Sequence, residues 1–211
     1  MAATICPTIT AENAHTYRTQ IERVAPFATR LHIDLSDGVL APTKLLELDK
    51  VWWPGGVRAD LHVMLKDPFT HIALYRALGP QMVIVHAEAE GDFVEFAETM
   101  HRHGIETGVA LLQDTTVETI APAIELIDHV LVFSGKLGYF GGTADLGLLE
   151  KVRQLRSLKP TLEIGWDGGI NDQNARALAE DGIDVLNVGG FIHRSQRPQQ
   201  AFDQLVQAAR S

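Results

Sequence analysis

The sequence predicts a closed (β/α)8 barrel, the TIM-barrel architecture of the α/β class. Two observations support this prediction: short β-branched or apolar runs alternate strictly with longer amphipathic runs, and the alternation occurs eight times. The length of 211 residues fits a single domain over residues 1–211, at the lower end of the size range of such barrels. A doubly wound open sheet is the alternative, but it usually has fewer strands at this length.

The eight predicted strands are short and are separated by segments with helical periodicity. In chain order the strands cover residues 4–9, 30–36, 57–64, 82–86, 106–111, 129–134, 161–166 and 183–188. Among the helical segments, residues 92–103 and 146–158 have apolar side chains at three- and four-residue spacing. Because alternating units of this kind build parallel sheets, we expect eight parallel strands that close into a barrel.

The charge balance restricts the class of partner. The chain has 18 Lys and Arg residues against 27 Asp and Glu residues, a formal net charge of −9. This balance argues against nucleic acid, because duplex binding needs a cluster of cations. A phosphate ligand would have to be held by local backbone amides or single cations. No stretch approaches the roughly 20 apolar residues that span a bilayer, so we expect no membrane partner.

The N-terminal segment and the cysteine content indicate a cytoplasmic protein. Residues 1–7 lack a basic flank and a long apolar run, so we expect no signal peptide. Cys6 is the single cysteine and cannot form an internal disulfide, which fits a reducing compartment. Trp52 and Trp53 adjoin a predicted helix end, where packing or a subunit contact is expected, and we expect a homo-oligomer.

Four polar residues stand at predicted strand ends, where barrels of this class carry their active sites. His32 and Asp34 lie two apart and therefore point to the same face of a strand. His62 lies near the end of the third strand and Asp167 ends the seventh. Each residue alone is compatible with a hydrogen-bonded core histidine, a helix cap or a tight turn. Together, two imidazoles and two carboxylates predict a site for a divalent metal ion.

Glycine pairs follow the last three predicted strands: Gly141-Gly142, Gly168-Gly169 and Gly189-Gly190. Barrels commonly bind phosphate with the loops after strands seven and eight. Glycine lets backbone amides approach an anion closely. Any single pair is compatible with an ordinary turn, but three pairs after successive strands favour a phosphate site.

At these residues the sequence resembles the ribulose-phosphate 3-epimerase family, along nearly the whole chain. Residues 32–38, His-Ile-Asp-Leu-Ser-Asp-Gly, resemble the family's His-x-Asp-x-Met-Asp-Gly motif. Further matches to family motifs cover residues 61–64, 85–89, 108–111, 138–142, 167–170 and 188–190. The combined order of these motifs is specific, whereas any one of them alone would be weak.

The resemblance implies an isomerase that interconverts D-ribulose 5-phosphate and D-xylulose 5-phosphate. It implies one divalent cofactor ion (zinc, iron(II), manganese or cobalt) bound by His32, Asp34, His62 and Asp167. Asp34 would remove the C3 proton and Asp167 would return a proton from the opposite face, and the ion would polarise the C2 carbonyl and the C3 hydroxyl. The residues implied in binding the phosphorylated ketose are Thr8, His62, Met64, Gly138, Gly141, Gly142, Gly168, Gly169, Gly189 and Gly190.

The sequence departs from the family pattern around the substrate. Thr8 stands where the family has a serine, and Ser36 and Phe133 replace two methionines that line the metal pocket. Gly190 replaces a serine that helps to bind phosphate. We expect Lys136 to offset this last loss, so that a Lys136→Ala variant has a higher KM.

Three competing functions are weighed against this one. A 3-epimerase of another ketose phosphate, such as a hexulose 6-phosphate, would keep the same chemistry, and the altered loops favour it. A decarboxylase or aldolase of a sibling barrel relies on an Asp-x-Lys-x-x-Asp array, and residues 60–64 contain no lysine. A non-catalytic barrel that binds a sugar phosphate would have no need for two opposed carboxylates linked by a metal.

Overall fold

The computed structural model describes residues 2–135, 137, 139 and 142–210. Its centre is a closed barrel of eight parallel strands, in which each strand pairs with the next along the chain and the last pairs with the first. The strands are β1 Thr4–Thr10, β2 Arg30–Ser36, β3 Arg58–Met64, β4 Met82–His86, β5 Glu106–Leu111, β6 His129–Phe133, β7 Glu163–Asp167 and β8 Val185–Val188. The predicted closed barrel is confirmed.

Helices cover the outside of the barrel. They are α1 Ala14–Val24, α2 Ile72–Leu78, α3 Phe93–Arg102, α4 Leu149–Leu158, α5 Ala175–Glu180, α6 Gly190–His193 and α7 Pro198–Ala208. None of the helices in the described part of the chain has the length and apolarity that a bilayer-spanning segment needs.

Two connections depart from a regular alternation of strands and α-helices. The connection from β2 to β3 carries a 3-10 helix at Leu48–Lys50, and that from β5 to β6 carries 3-10 helices at Val117–Thr119 and Ala121–Leu126. Pro122 lies in the first turn of the last of these and has no backbone N–H to donate. The strand β7 begins two residues later than predicted, because the N–H of Leu162 bonds back to the carbonyl of Lys159.

Two of the clusters of buried apolar side chains show how the outside and the inside of the barrel are filled. The larger cluster lies between the sheet and the helices and includes Ile33 and Val63 of the strands and Tyr17, Phe96 and Leu155 of the helices. A smaller cluster is formed by the strand residues Met82, Ile84, Ala110 and Leu131. The small cluster is separate from the large one, as expected when alternate strand residues face the inside of a barrel.

Charged residues close the N-terminal end of the barrel. Arg30 Nε lies 2.5 Å from Asp60 Oδ2, and the Arg30 guanidinium forms two 2.8 Å hydrogen bonds to Glu163. His129 Nδ1 lies 2.8 Å from the same carboxylate. We call Arg30, Asp60, His129 and Glu163 the floor cluster. It joins β2, β3, β6 and β7 at the end opposite the expected active site.

Candidate active site

The strand register brings polar side chains together at the C-terminal end of the barrel. Asp34 on β2 lies opposite Thr10 on β1 and His62 on β3. Asp167 on β7 lies opposite Asn187 on β8. Paired residues of parallel strands project from the same face of the sheet, so these side chains share the interior.

The four predicted metal ligands meet at one point. One donor atom each from His32, Asp34, His62 and Asp167 lies within 4.8 Å of all the others. His32 Nε2 lies 3.4 Å from Asp34 Oδ1 and 3.6 Å from Asp167 Oδ2, so both carboxylates approach the same ring nitrogen. His62 Nδ1 lies 2.8 Å from Asp34 Oδ1. Both imidazoles are completely buried.

This set of donors fits a divalent metal ion. Within the described residues, neither ring nitrogen of His32 has a hydrogen-bond partner, and leaving buried polar atoms unpaired costs free energy. Zinc ligands at about 2.0–2.2 Å would lie about 3.4 Å from one another in a tetrahedral site, close to the separations around His32. Two imidazoles and two carboxylates suit zinc, iron(II), cobalt or manganese.

The surroundings shift the pKa values of Asp34 and Asp167 in opposite directions. Burial alone would raise the pKa of Asp34, but the imidazoles of His32 and His62 outweigh it and hold this pKa below its usual range. Burial raises the pKa of Asp167, and the negative charge of Asp34 raises it further. Burial lowers the pKa of His62 to about 4, so this imidazole is neutral at pH 7. Two carboxyl groups with separated pKa values are a common arrangement for an acid and a base.

A further histidine contacts the site from β4. His62 Nε2 lies 2.9 Å from His86 Nε2, and His86 Nδ1 lies 3.5 Å from Glu88 Oε2. Glu88 in turn accepts a hydrogen bond from Thr115. If His62 uses Nδ1 towards a metal ion, its Nε2–H donates to His86, which fixes the tautomer of His62.

Three other strand residues shape the site and the turn beside it. Thr10 Oγ1 donates a 2.6 Å hydrogen bond to Asp34 Oδ2, which leaves Asp34 Oδ1 directed towards the histidines. The ring of Phe133 lies against His62 and His86, with centroid separations of 6.1 Å and 6.4 Å. Ser36 accepts a hydrogen bond from Gly38 N at 3.1 Å and so supports the turn after β2.

A cavity of about 510 Å³ opens over these residues. The predicted substrate-binding and catalytic residues in its wall are Thr8, Asp34, Met64, Gly142, Asp167, Gly168, Gly169, Gly189 and Gly190. His62 is completely buried next to Asp34. Gly138, Gly141 and Lys136 lie outside the described residues.

The loop after β7 is packed tightly against the loop after β6. Gly168 and Gly169 have φ angles of +115° and +70°. A Cβ atom on Gly168 would overlap the backbone of Gly135, and one on Gly169 would overlap the backbone of Ala144. Glycine is therefore required at both positions by conformation and by space.

The residues of the cavity wall that the sequence analysis did not single out include Asn187 and Arg194. Asn187 lies on β8 and is 2% exposed. Arg194 follows α6 and is exposed at the edge of the cavity beside Gly190. The amide of Asn187 in an otherwise apolar strand was a usable signal, whereas nothing in the sequence distinguished Arg194 from other surface cations.

Structural comparison shows which known folds resemble this barrel. A 3-hexulose-6-phosphate synthase from Salmonella typhimurium superposes with a TM-score of 0.72 at 14% identity, covering 99% of this chain and 98% of that one. A Mycobacterium tuberculosis tryptophan synthase structure gives a TM-score of 0.75 at 13% identity, covering 100% and 93%. At such low identity these similarities establish the fold alone.

Sequence comparison gives a closer relationship. A Helicobacter pylori protein named ribulose-phosphate 3-epimerase is 31% identical over 194 residues, which cover 88% of each chain. A Schizosaccharomyces pombe protein of the same name is 27% identical over 210 residues, covering 96% of this chain and 92% of that one. The sequence model of the family described as "Ribulose-phosphate 3 epimerase family" matches residues 4–193. The chain therefore belongs to the ribulose-phosphate 3-epimerase family of carbohydrate isomerases.

Proposed function

We propose that this protein is a metal-dependent epimerase that interconverts D-ribulose 5-phosphate and D-xylulose 5-phosphate. The observation that carries the proposal is that Asp34, on β2, and Asp167, on β7, both lie within 4 Å of His32 Nε2 and in the wall of one cavity. Epimerisation at a carbon next to a carbonyl needs a proton removed from one face and a proton added to the other. Two separate carboxyl groups supply these two steps.

The proposed mechanism assigns one proton to each carboxyl group. Asp34 accepts the C3 proton, and Asp167 donates its own proton to the opposite face of C3. The roles exchange in the reverse direction. Thr10 holds Asp34 in orientation through its 2.6 Å hydrogen bond. A divalent ion held by His32, Asp34, His62 and Asp167 would supply positive charge next to the oxygens at C2 and C3.

The phosphate is proposed to bind where the loops after β7 and β8 line the cavity. Gly168, Gly169, Gly189 and Gly190 expose backbone there, and Arg194 is the cation among the described residues of the cavity wall. Because the chain carries a net charge of −9, the attraction has to come from local groups, and these backbone amides and Arg194 supply it. The role of Lys136 stays a prediction from the sequence.

The first experiment follows hydrogen exchange at C3. The protein is incubated with D-ribulose 5-phosphate in D₂O with zinc, manganese, cobalt or iron(II), and proton NMR measures loss of the C3 proton and formation of D-xylulose 5-phosphate. We expect metal-dependent exchange with epimer formation, abolished by Asp34→Asn. Absence of C3 exchange with every metal would rule out this substrate and direct the search to hexulose 6-phosphates.

A second experiment tests the phosphate site. Arg194→Gln should raise KM about tenfold, the effect expected from one charge-assisted hydrogen bond, with a smaller change in kcat. Arg197→Gln is the matched control, because Arg197 is also exposed but lies outside the cavity wall. Equal effects of the two substitutions on KM would show only a general electrostatic attraction.

The homo-oligomer and the cytoplasmic location stay predictions from the sequence.

A further inference from the structure

Asn187 is a buried polar residue that the proposed mechanism does not use. It is the third residue of β8, whose other members are Val185, Leu186 and Val188. It pairs with Asp167 on one side of the strand, is 2% exposed, and lies in the wall of the cavity. Its carboxamide therefore faces the space beside the catalytic carboxyl group.

The carboxamide of Asn187 has no partner within the described part of the chain. Its Oδ1 atom is buried without a hydrogen bond, and its amide nitrogen donates to none of the described groups. Across the seam between β8 and β1, the hydroxyl of Thr8 is likewise buried and unpaired in the same cavity wall. Buried polar groups are normally satisfied, so two groups that are unpaired among the described residues, both in side chains that line one cavity, indicate a polar ligand.

The position of Asn187 defines which part of a ligand it reaches. Asp167 lies directly across on the neighbouring strand, and Gly189 and Gly190 follow two and three residues later along the chain. Asn187 thus stands between the group proposed to act at C3 and the loop proposed to hold phosphate. In a pentulose 5-phosphate, the polar group between these two points is the C4 hydroxyl.

We propose that Asn187 binds the C4 hydroxyl of the ketose phosphate and makes the enzyme selective for substrates that carry it. A carboxamide both donates and accepts a hydrogen bond, as a hydroxyl does, which makes the two groups complementary. A site with unpaired polar groups rejects an analogue that lacks the matching hydroxyl. The inference rests on the proposed function, because it takes the positions of C3 and the phosphate from it.

The test crosses two variants with two substrates. Asn187→Ala and Asn187→Val both remove the hydrogen bond. The alanine variant also enlarges the cavity, whereas the valine variant keeps about the same side-chain volume. On D-ribulose 5-phosphate we expect kcat/KM to fall about 10- to 100-fold in both variants. On the 4-deoxy analogue, kcat/KM of the variants should equal or exceed that of the unmodified protein, because only the unmodified protein leaves the carboxamide unpaired. Gln154→Ala, at an exposed amide on α4, is the control.

A binding measurement separates this inference from the proposed function. Calorimetry with a pentitol 5-phosphate and its 4-deoxy counterpart needs no turnover, so it reports on Asn187 even in a protein that does not exchange C3 protons. Weaker binding of the pentitol phosphate alone in the variants supports the inference. An equal loss of affinity for both ligands, or no loss of affinity for either ligand in correctly folded variants, overturns the inference.

Discussion

The side chain of His62 is held at both ring nitrogens, by Asp34 on one side and by His86 on the other. A ligand histidine whose second nitrogen is bonded keeps one tautomer and one ring orientation, which raises its affinity for metal. In the proposed metal site, His86 is therefore a positioning residue for His62, and its proposed role needs no contact with substrate.

We predict that His86→Leu lowers the affinity for zinc about 10- to 100-fold. The measurement is a competition titration of the protein against a chromophoric chelator, which does not depend on activity. His86→Gln restores an acceptor for His62 Nε2 and should recover part of the affinity. His103→Leu, at an exposed histidine, is the control, and an equal loss in it would contradict this role of His86.

At the scale of single residues, the sequence allowed the convergence of two histidines and two aspartates to be predicted, but not all of their neighbours. His32, Asp34, His62 and Asp167 were found because they stand at strand ends that periodicity locates. Thr10 was missed because the first strand was expected to end one residue earlier, although it extends to Thr10. Tertiary contacts decide such boundaries.

The loops after β6 and β7 contact each other through backbone atoms, and we expect this contact to contribute to the stability of the protein. We predict that Gly169→Ala destabilises the protein more than Gly104→Ala. The two glycines have nearly the same φ, +70° and +71°, so both substitutions carry the same left-handed strain of about 1–2 kcal/mol. Only Gly169→Ala also forces a methyl group into the backbone of Ala144, whereas the space around Gly104 is open.

Overlap of this kind typically adds about 1–3 kcal/mol. Urea unfolding of both variants measures the difference, and inorganic phosphate binding shows whether the loop still forms its site. A Gly169→Ala variant as stable as Gly104→Ala would mean that the two loops can separate at little cost.

At the scale of elements, the strands were easier to predict than the connections between them. The strands are buried almost throughout, and burial on both faces is what a parallel barrel strand requires. The 3-10 helices at Leu48–Lys50 and Ala121–Leu126 are too short for helical periodicity to distinguish them from an α-helix. Their form depends on packing around nearby prolines and glycines, which a pattern of apolar residues does not encode.

At the scale of the whole barrel, the floor cluster links four strands, three of them through the guanidinium of Arg30 and β6 through the contact of His129 with Glu163. We predict that Arg30→Met destabilises the protein by about 3–5 kcal/mol, because it leaves the carboxylates of Asp60 and Glu163 without their cation. Arg58→Met should cost less than about 1 kcal/mol, since Arg58 is exposed and lies 3.9 Å from Glu106. Urea unfolding at pH 7 measures the free energy of unfolding of both variants. Similar losses of stability in Arg30→Met and Arg58→Met would contradict a special role for the floor cluster.

The same cluster gives the barrel a defined response to acid. Burial would raise the pKa of Glu163, but Arg30 and His129 outweigh it and hold this pKa well below its usual range. A carboxyl group with a lowered folded-state pKa stabilises the protein above its unfolded pKa, about 4.3, and this contribution is lost as the pH falls further. The stability gap between the unmodified protein and Glu163→Gln should therefore narrow below about pH 4.

Urea midpoints measured from pH 7 down to pH 3 check this, with Glu150→Gln, at an exposed residue of α4, as the reference. A gap that stays constant over this range would show that Glu163 contributes packing and not charge.

The seam between β1 and β8 has a consequence for synthesis of the protein on the ribosome. Thr4 pairs with Val185, and His193 bonds to the carbonyl of Thr8 at 2.9 Å, so the first strand acquires one of its two neighbours only after nearly the whole chain has been translated. Until then, β1 and β7 are open edges that can pair with other nascent chains. Chaperones that shield exposed strand edges are thus most useful to this chain late in translation, when seven strands have emerged and the eighth has not.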